Sequence, residues 1–257
     1  MRALLLALAA PLLAASPWNP EAVKRAMGGR EHLLLIQSGS TVHRMGSLDP
    51  RRPLLPCSTY KLPHALIALE RGILPPGADH RTCQPRECHS SHGKLGLEAA
   101  IGQSCVSFFR QLARELGPAS ELEGMRRLGY PFTGRPVPSD AFWLAGGELR
   151  ITPQGQLDWI RRFYSEALPV DPAHLDRVRK ATLRAEEPGF VLWGKTGSTG
   201  PKLSGTPYGW FVGKVAWRDG RTEFVVLLVQ GRGNALLGPE AQQRLLDLLR
   251  SAPGNAG

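Results

Sequence analysis

Pro56-Cys57-Ser58-Thr59-Tyr60-Lys61-Leu62-Pro63-His64-Ala65-Leu66-Ile67-Ala68-Leu69-Glu70 decides how this chain is read. Leu62, Ala65, Leu66 and Leu69 recur at helical spacing, so a helix is expected from Ser58 to about Arg71. Pro63 falls in its first turn or so, where proline is tolerated. Ser58 then stands at a helix N-terminus, where unpaired N–H groups and the helix dipole favour developing negative charge. Ser58 and Lys61 are three apart and share one face, which brings an amine to a hydroxyl. A serine hydroxyl is a poor nucleophile until a base takes its proton, and Lys61 is placed to be that base. Taken alone, S-x-x-K arises about once per 250 positions at average composition, and Ser58 reads simply as a helix cap.

Working outward, Leu33-Leu34-Leu35-Ile36, Gly39 and Thr41-Val42-His43 predict a hairpin before this helix. Residues Pro75 to Gly93 read as a Gly/Pro/polar linker. Helical periodicity resumes with Val106, Phe109, Leu112, Ala113 and Leu116 and closes at Gly117-Pro118; Ser120 to Leu128 predicts another short helix. Thr152-Pro153 is an N-cap followed by proline at the first helical position. A further helix is expected over His174 to Leu183. Phe190 to Trp193, Trp210 to Val212 and Phe224 to Val229 read as adjacent antiparallel strands, and Pro239 to Leu249 as a last helix. Strands at both ends flank a block of helices. That order predicts an α+β fold: an antiparallel sheet flanked by helices with an inserted helical lobe.

The chain has 257 residues, 42% of them hydrophobic, enough for one large domain with a sizeable core. Its net charge is +10, but the arginines are dispersed and lack the clustering with aromatics expected of a nucleic-acid binder. An anionic small substrate remains compatible. Met1-Arg2, the apolar run Ala3 to Leu13 and Ala14-Ala15-Ser16 have the form of a secretory signal peptide, dividing the chain into residues 1–16 and a mature domain over 17–257. The alternative is a buried first helix. No later stretch is apolar enough to span a membrane, so a soluble mature protein in a periplasm or outside the cell is expected, without a membrane anchor once the signal is cleaved. Cys57, Cys83, Cys88 and Cys105 permit two disulfides in three connectivities. A local Cys83–Cys88 bridge and a Cys57–Cys105 bridge between the two helices are both open. His80, His89 and His92 near Cys83 and Cys88 lack zinc-finger spacing, so no metal is expected.

Two further motifs give the S-x-x-K its context. Ser104-Cys105-Val106 opens the middle helix, and Lys195-Thr196-Gly197 follows the apolar strand ending at Trp193. S-x-x-K on an early helix, S-x-V on a middle helix and K-T-G on a late strand form the arrangement of penicillin-recognising serine enzymes. Among these the chain resembles the class D, or OXA-type, β-lactamases over nearly its whole mature length. The likeness includes Phe142-Trp143-Leu144 before Leu149-Arg150-Ile151-Thr152-Pro153, and Tyr208-Gly209-Trp210-Phe211-Val212-Gly213.

The resemblance implies a β-lactamase/transpeptidase-like fold and hydrolysis of β-lactam antibiotics through an acyl-enzyme on Ser58. It further implies that Lys61 is carboxylated by carbon dioxide and acts as general base in both half-reactions, with no other cofactor. Desolvation favours the neutral amine that carboxylation requires. By the same resemblance Val106, Phe109, Trp143 and Leu144 line the carbamate pocket, with the Trp143 indole N–H donating to the carbamate. Ser104 relays a proton toward the leaving nitrogen. Lys195 and Thr196, with Gly197 beside them, hold the substrate carboxylate, and the backbone N–H groups of Ser58 and Ser198 form the oxyanion hole. Without that context, Phe109 and Trp143 read equally well as core aromatics.

The sequence also departs from the family. A usual Tyr-Gly-Asn motif is matched only by Tyr130-Pro131-Phe132, and a Trp-Asp segment is replaced by the Cys/His loop. A carboxylate-binding arginine has no clear match: Arg232 is nearest, and Ala241 occupies the expected place. Substrate range and efficiency are where these differences bear. A β-lactam sensor or penicillin-binding protein that acylates without efficient turnover, a cell-wall peptidase and a degenerate relative are the competing readings.

Overall fold

Leu33, Leu34, Leu35 and Ile36 are all buried, because β1 (His32–Ser38) lies inside a sheet covered on both faces. Successive side chains of a strand point to opposite faces. Leu33 and Leu35 accordingly join the large core under the helical lobe, while Leu34 and Ile36 join a second core beneath the terminal helices. The structure is a computed structural model and describes residues 17–84, 93–135, 139–144, 147–165, 168–199, 205–232 and 236–252.

β1 turns at Gly39 into β2 (Thr41–Gly46), which is the expected hairpin. With β7 (Leu183–Glu186), β8 (Phe190–Ser198), β9 (Tyr208–Trp217) and β10 (Thr222–Gln230) they form a six-stranded sheet in the order β2-β1-β10-β9-β8-β7, every pair antiparallel. Helices α1 (Pro20–Met27) and α7 (Leu237–Arg250) cover one face. On the other face lie α2 (Lys61–Glu70), α3 (Leu97–Gly102), α4 (Val106–Arg127), α5 (Pro153–Tyr164) and α6 (Pro172–Lys180). The α+β architecture with an inserted helical lobe is therefore the one expected.

The differences are local. The segment read as a linker contains β3 (Arg81–Cys83) and runs into β4 (Gly93–Leu95), a two-stranded ribbon whose polar residues hid the pairing, and β5 (Phe132–Thr133) and β6 (Arg150–Ile151) form a second short pair. α6 starts earlier than expected, because Asp171 caps Ala173 N–H at 2.7 Å and Pro172 occupies the first turn; Leu183 belongs to β7, not to the helix. α4 is interrupted at Gly117 (φ 72°, ψ 160°), the break that Gly117-Pro118 predicts. α1 and α3 were not anticipated; both are short. Thr152 caps α5 as expected, its hydroxyl accepting from Gly155 N–H at 2.9 Å.

Cys105 pairs with Cys83, joining the first turn of α4 to β3, and Cys57 is a buried free thiol. This overturns both bridges considered from sequence. Cys105 is the N-cap of α4 and faces the ribbon, which puts it beside Cys83 and away from Cys57. Cys88, His89 and His92 lie outside the described residues, as does the signal-like segment 1–16. His80 pairs with Asp79 at 3.1 Å. No helix among the described residues is long and apolar enough to cross a membrane.

Candidate active site

Ser58 is half-buried on a short 3-10 turn, Cys57–Tyr60, that runs directly into α2. The turn is fastened from three sides. Tyr208 Oη accepts from Leu55 N–H at 2.8 Å, and the Trp210 indole donates to Leu55 O at 3.0 Å. Cys57 N–H donates to Trp143 O at 3.1 Å. Thr59 Oγ1 donates to Pro56 O at 2.7 Å and accepts from Gln156 of α5 at 2.6 Å. Gly197 of β8 lies close beneath: a Cβ there would stand 3.0 Å from Pro56 O and 3.2 Å from the Cys57 Cβ. Glycine lets the strand approach the turn this closely without crowding it.

Among the described residues, two that are not glycine have left-handed backbones, Cys57 (φ 53°) and Ser104 (φ 58°). They adjoin or are predicted site residues, which is where local strain tends to be stored. At Ser104 the left-handed backbone turns α3 into α4 and brings both its carbonyl and its hydroxyl to α2.

Lys61 is fully buried and donates to Ser104 O at 2.5 Å and to Ser104 Oγ at 3.2 Å. Its Nζ lies 5.4 Å from the centre of the Phe109 ring. From the sheet side, Lys195, 1% exposed, donates to the same Ser104 Oγ at 2.8 Å and to Thr196 O at 3.1 Å. Burial, followed by the charges of Lys61 and Arg184, holds the Lys195 amine well below the ordinary lysine range. The three sequence motifs thus converge: S-x-x-K supplies Lys61, S-x-V supplies Ser104, and K-T-G supplies Lys195.

Thr196 and Ser198 are half-buried and alternate to the face opposite Lys195 and Gly197. The Ser198 hydroxyl accepts from Gly238 N–H at 2.9 Å, at the start of α7. β8 bonds to β9 at Thr199–Tyr208, so Ser198 is at the alternate, non-bonded position. Its N–H points to the side of β8 that β7, whose pairing ends at Leu183–Trp193, leaves open.

Phe109 and Trp143 are wholly buried, and Val106 and Leu144 half-buried. The Trp143 ring packs on Tyr60 and His64, the residues just before Lys61 and one turn after it. Its indole N–H is buried without a hydrogen-bond partner among the described residues. Tyr130 is in the core, its ring on Tyr60 and Trp159, and Phe132 pairs with Ile151. Ala241 is buried under the sheet, and Arg232 lines a different cleft with Arg30 and Thr206. Sequence reasoning missed Gln156 and the Cys83–Cys105 tie, since neither a lone glutamine nor cysteine spacing signals a contact.

Residues 51–249 match the family model described as the penicillin binding protein transpeptidase domain. The chain is 29% identical over 223 residues to β-lactamase OXA-10 of Pseudomonas aeruginosa, covering 84% of this chain and 81% of that one. It is 30% identical over 197 residues to the regulatory protein BlaR1 of Bacillus licheniformis, covering 76% of this chain and 32% of BlaR1. The solved structure of FUS-1 (OXA-85), a class D β-lactamase from Fusobacterium nucleatum subsp. polymorphum, superposes with a TM-score of 0.78 at 23% identity, covering 90% of this chain and 96% of that one. The chain belongs to the penicillin-binding protein transpeptidase domain family, and its likeness to class D, OXA-type β-lactamases extends through the whole fold.

Proposed function

We propose that the protein is a class D serine β-lactamase that hydrolyses β-lactams through an acyl-enzyme on Ser58, with carboxylated Lys61 as general base. The observation that carries this reading is the convergence of Lys61 and Lys195 on the Ser104 hydroxyl beside the Ser58 turn.

In the forward step the Ser58 hydroxyl attacks the lactam carbonyl while its proton passes to Lys61. The carbonyl oxygen gains charge between the backbone N–H groups of Ser58 and Ser198, preorganised donors of the kind worth several kcal/mol to a transition state. Ser104, bonded to both lysines, gives its hydroxyl proton to the departing lactam nitrogen as the C–N bond breaks and takes the Ser58 proton from Lys61 in exchange, which leaves Lys61 a base again. Lys195, on the strand that Gly197 lets run close to Ser58, holds the substrate carboxylate; Thr196, whose side chain leaves from the other face of the strand, takes part through its carbonyl, which accepts from the Lys195 amine and aims it. Water then attacks the ester, Lys61 takes the water's proton, and that proton passes to the Ser58 oxygen as the acyl C–O bond breaks, which restores the starting state.

The residues around Lys61 fit its carboxylation. Full burial favours the neutral amine, Val106, Phe109 and Leu144 supply apolar walls, and the unpartnered Trp143 N–H offers a donor. Carboxylation would supply a carboxylate base that remains ionised at neutral pH. The signal-like segment 1–16 and the Cys83–Cys105 disulfide both fit export of a mature domain, residues 17–257, to a periplasm or the exterior.

A chromogenic cephalosporin tests the reading. Sustained turnover that rises with added bicarbonate is expected. A single stoichiometric burst would favour a β-lactam sensor, the reading that the likeness to BlaR1 supports. No reaction at all would overturn both.

A further inference from the structure

Behind Lys61 lies a polar cluster that the proposed mechanism does not use. Tyr60, His64 and Glu121 are each at most 1% exposed. The Tyr60 hydroxyl donates to Glu121 Oε2 at 2.6 Å, and His64 Nε2 lies 2.7 Å from Glu121 Oε1. Tyr60 and His64 sit on either side of Lys61 in sequence, whereas Glu121 comes from the second half of α4, just past the Gly117 break. One carboxylate therefore ties α4 to both flanks of the lysine.

The same two rings hold Trp143. Tyr60 stacks on its indole with centroids 6.1 Å apart and an interplanar angle of 27°, and His64 meets it edge-on at 5.2 Å. His64 also packs on Phe109, the ring beneath the Lys61 amine, at 5.5 Å. Burial, then the neighbouring Glu121 carboxylate, pushes the Tyr60 phenol well above its usual range, so it remains a donor. A buried charged cluster of this kind contributes little net stability, because apolar side chains of similar volume would fill the space without the desolvation cost. What it does supply is fixed geometry, since Tyr60 is held by a hydrogen bond and His64 by close approach to the same carboxylate.

We propose that Tyr60, His64 and Glu121 are positioning residues that fix the Trp143 indole and the Lys61 amine in the arrangement that takes up carbon dioxide. This rests on the class D reading above. Loss of a supporting hydrogen bond of this kind commonly weakens a bound group by about 10-fold to 100-fold.

The test uses the full mature chain and three variants: Glu121→Met, Glu121→Gln and Tyr60→Phe. Carbon-13 NMR with labelled bicarbonate reads carbamate formation directly, and cephalosporin turnover is measured over the same bicarbonate range. Glu121→Met is expected to need about tenfold more bicarbonate for half-maximal carbamate signal, with turnover recovering at saturation. Tyr60→Phe, which deletes one hydroxyl and is the milder change should Glu121→Met fail to fold, is expected to need about threefold more. Glu121→Gln keeps the shape of the side chain and an oxygen to accept from Tyr60, and should restore most of the loss. Parental bicarbonate dependence in folded Tyr60→Phe and Glu121→Met would overturn the positioning role alone. A parent chain that forms no carbamate would overturn the class D reading together with it.

Discussion

The side-chain nitrogen of Lys195 donates to the hydroxyl oxygen of Ser104 across 2.8 Å, tying the central sheet to the mouth of the helical lobe. Lys61 reaches the same oxygen from α2. If Ser104 relays a proton to the leaving nitrogen, its loss acts on one half-reaction. Ser104→Ala should lower acylation by about 10²-fold to 10⁴-fold, the usual worth of a positioned acid, while deacylation stays nearly unchanged. Stopped-flow acylation with mass spectrometry of the acyl-enzyme separates the two; equal losses in both would remove the relay role.

The lowered pKa of Lys195 has a consequence for stability. Between that lowered value and the ordinary lysine value, about 10.4, the unfolded chain binds a proton that the folded chain does not. The contribution of Lys195 to stability therefore rises with pH through this window. In Lys195→Met that dependence disappears. Its Tm relative to the parent should be highest at low pH and fall as pH rises toward the ordinary lysine value, as followed by calorimetry over a pH series. The opposite trend would contradict burial of a cation at this position.

Lys61→Ala should leave Ser58 without a base for the second half-reaction. Any acyl-enzyme that forms should persist, visible as a stable mass increase equal to the β-lactam. Trp143→Phe keeps most of the buried ring and deletes the unpartnered N–H, so added bicarbonate should rescue it only at higher concentration than the parent needs. Unchanged bicarbonate dependence would take Trp143 out of the site.

Cys83→Ala should lower stability by about 2–4 kcal/mol, the usual effect of opening a disulfide loop of this size, read as a shift in urea midpoint. Because Cys105 follows Ser104 directly, turnover should fall as well. Reductant should lower the parent's midpoint toward that of the variant and leave the variant unchanged.

Much of the site was legible because three motifs each announce their local setting. A serine three residues before a lysine on a helix, a serine opening a second helix and a lysine ending an apolar strand are local patterns. The hydrogen bonds joining Ser104 to Lys61 and Lys195 are long-range, 43 and 91 residues apart, and no local signal carries them. The β3–β4 ribbon escaped notice because polar, Pro-rich sequence gives no alternation. Nothing in the sequence singles out Glu121 within the helix expected over Ser120 to Leu128; the Gly117 break and packing against Tyr60 and His64 put it in the core.

By itself the sequence determined the longer helices, the central strands and the residue types at the candidate catalytic positions, since period, caps and turns follow from local chemistry; the short α1 and α3, the β3–β4 ribbon and β7 were not legible in it. Only the tertiary structure decided that Ser104 serves two buried lysines, that Cys105 pairs with Cys83, and that Glu121 backs the nucleophile's helix. Those outcomes depend on which side chains burial brings together from distant segments, and on the need of each buried polar group for a partner.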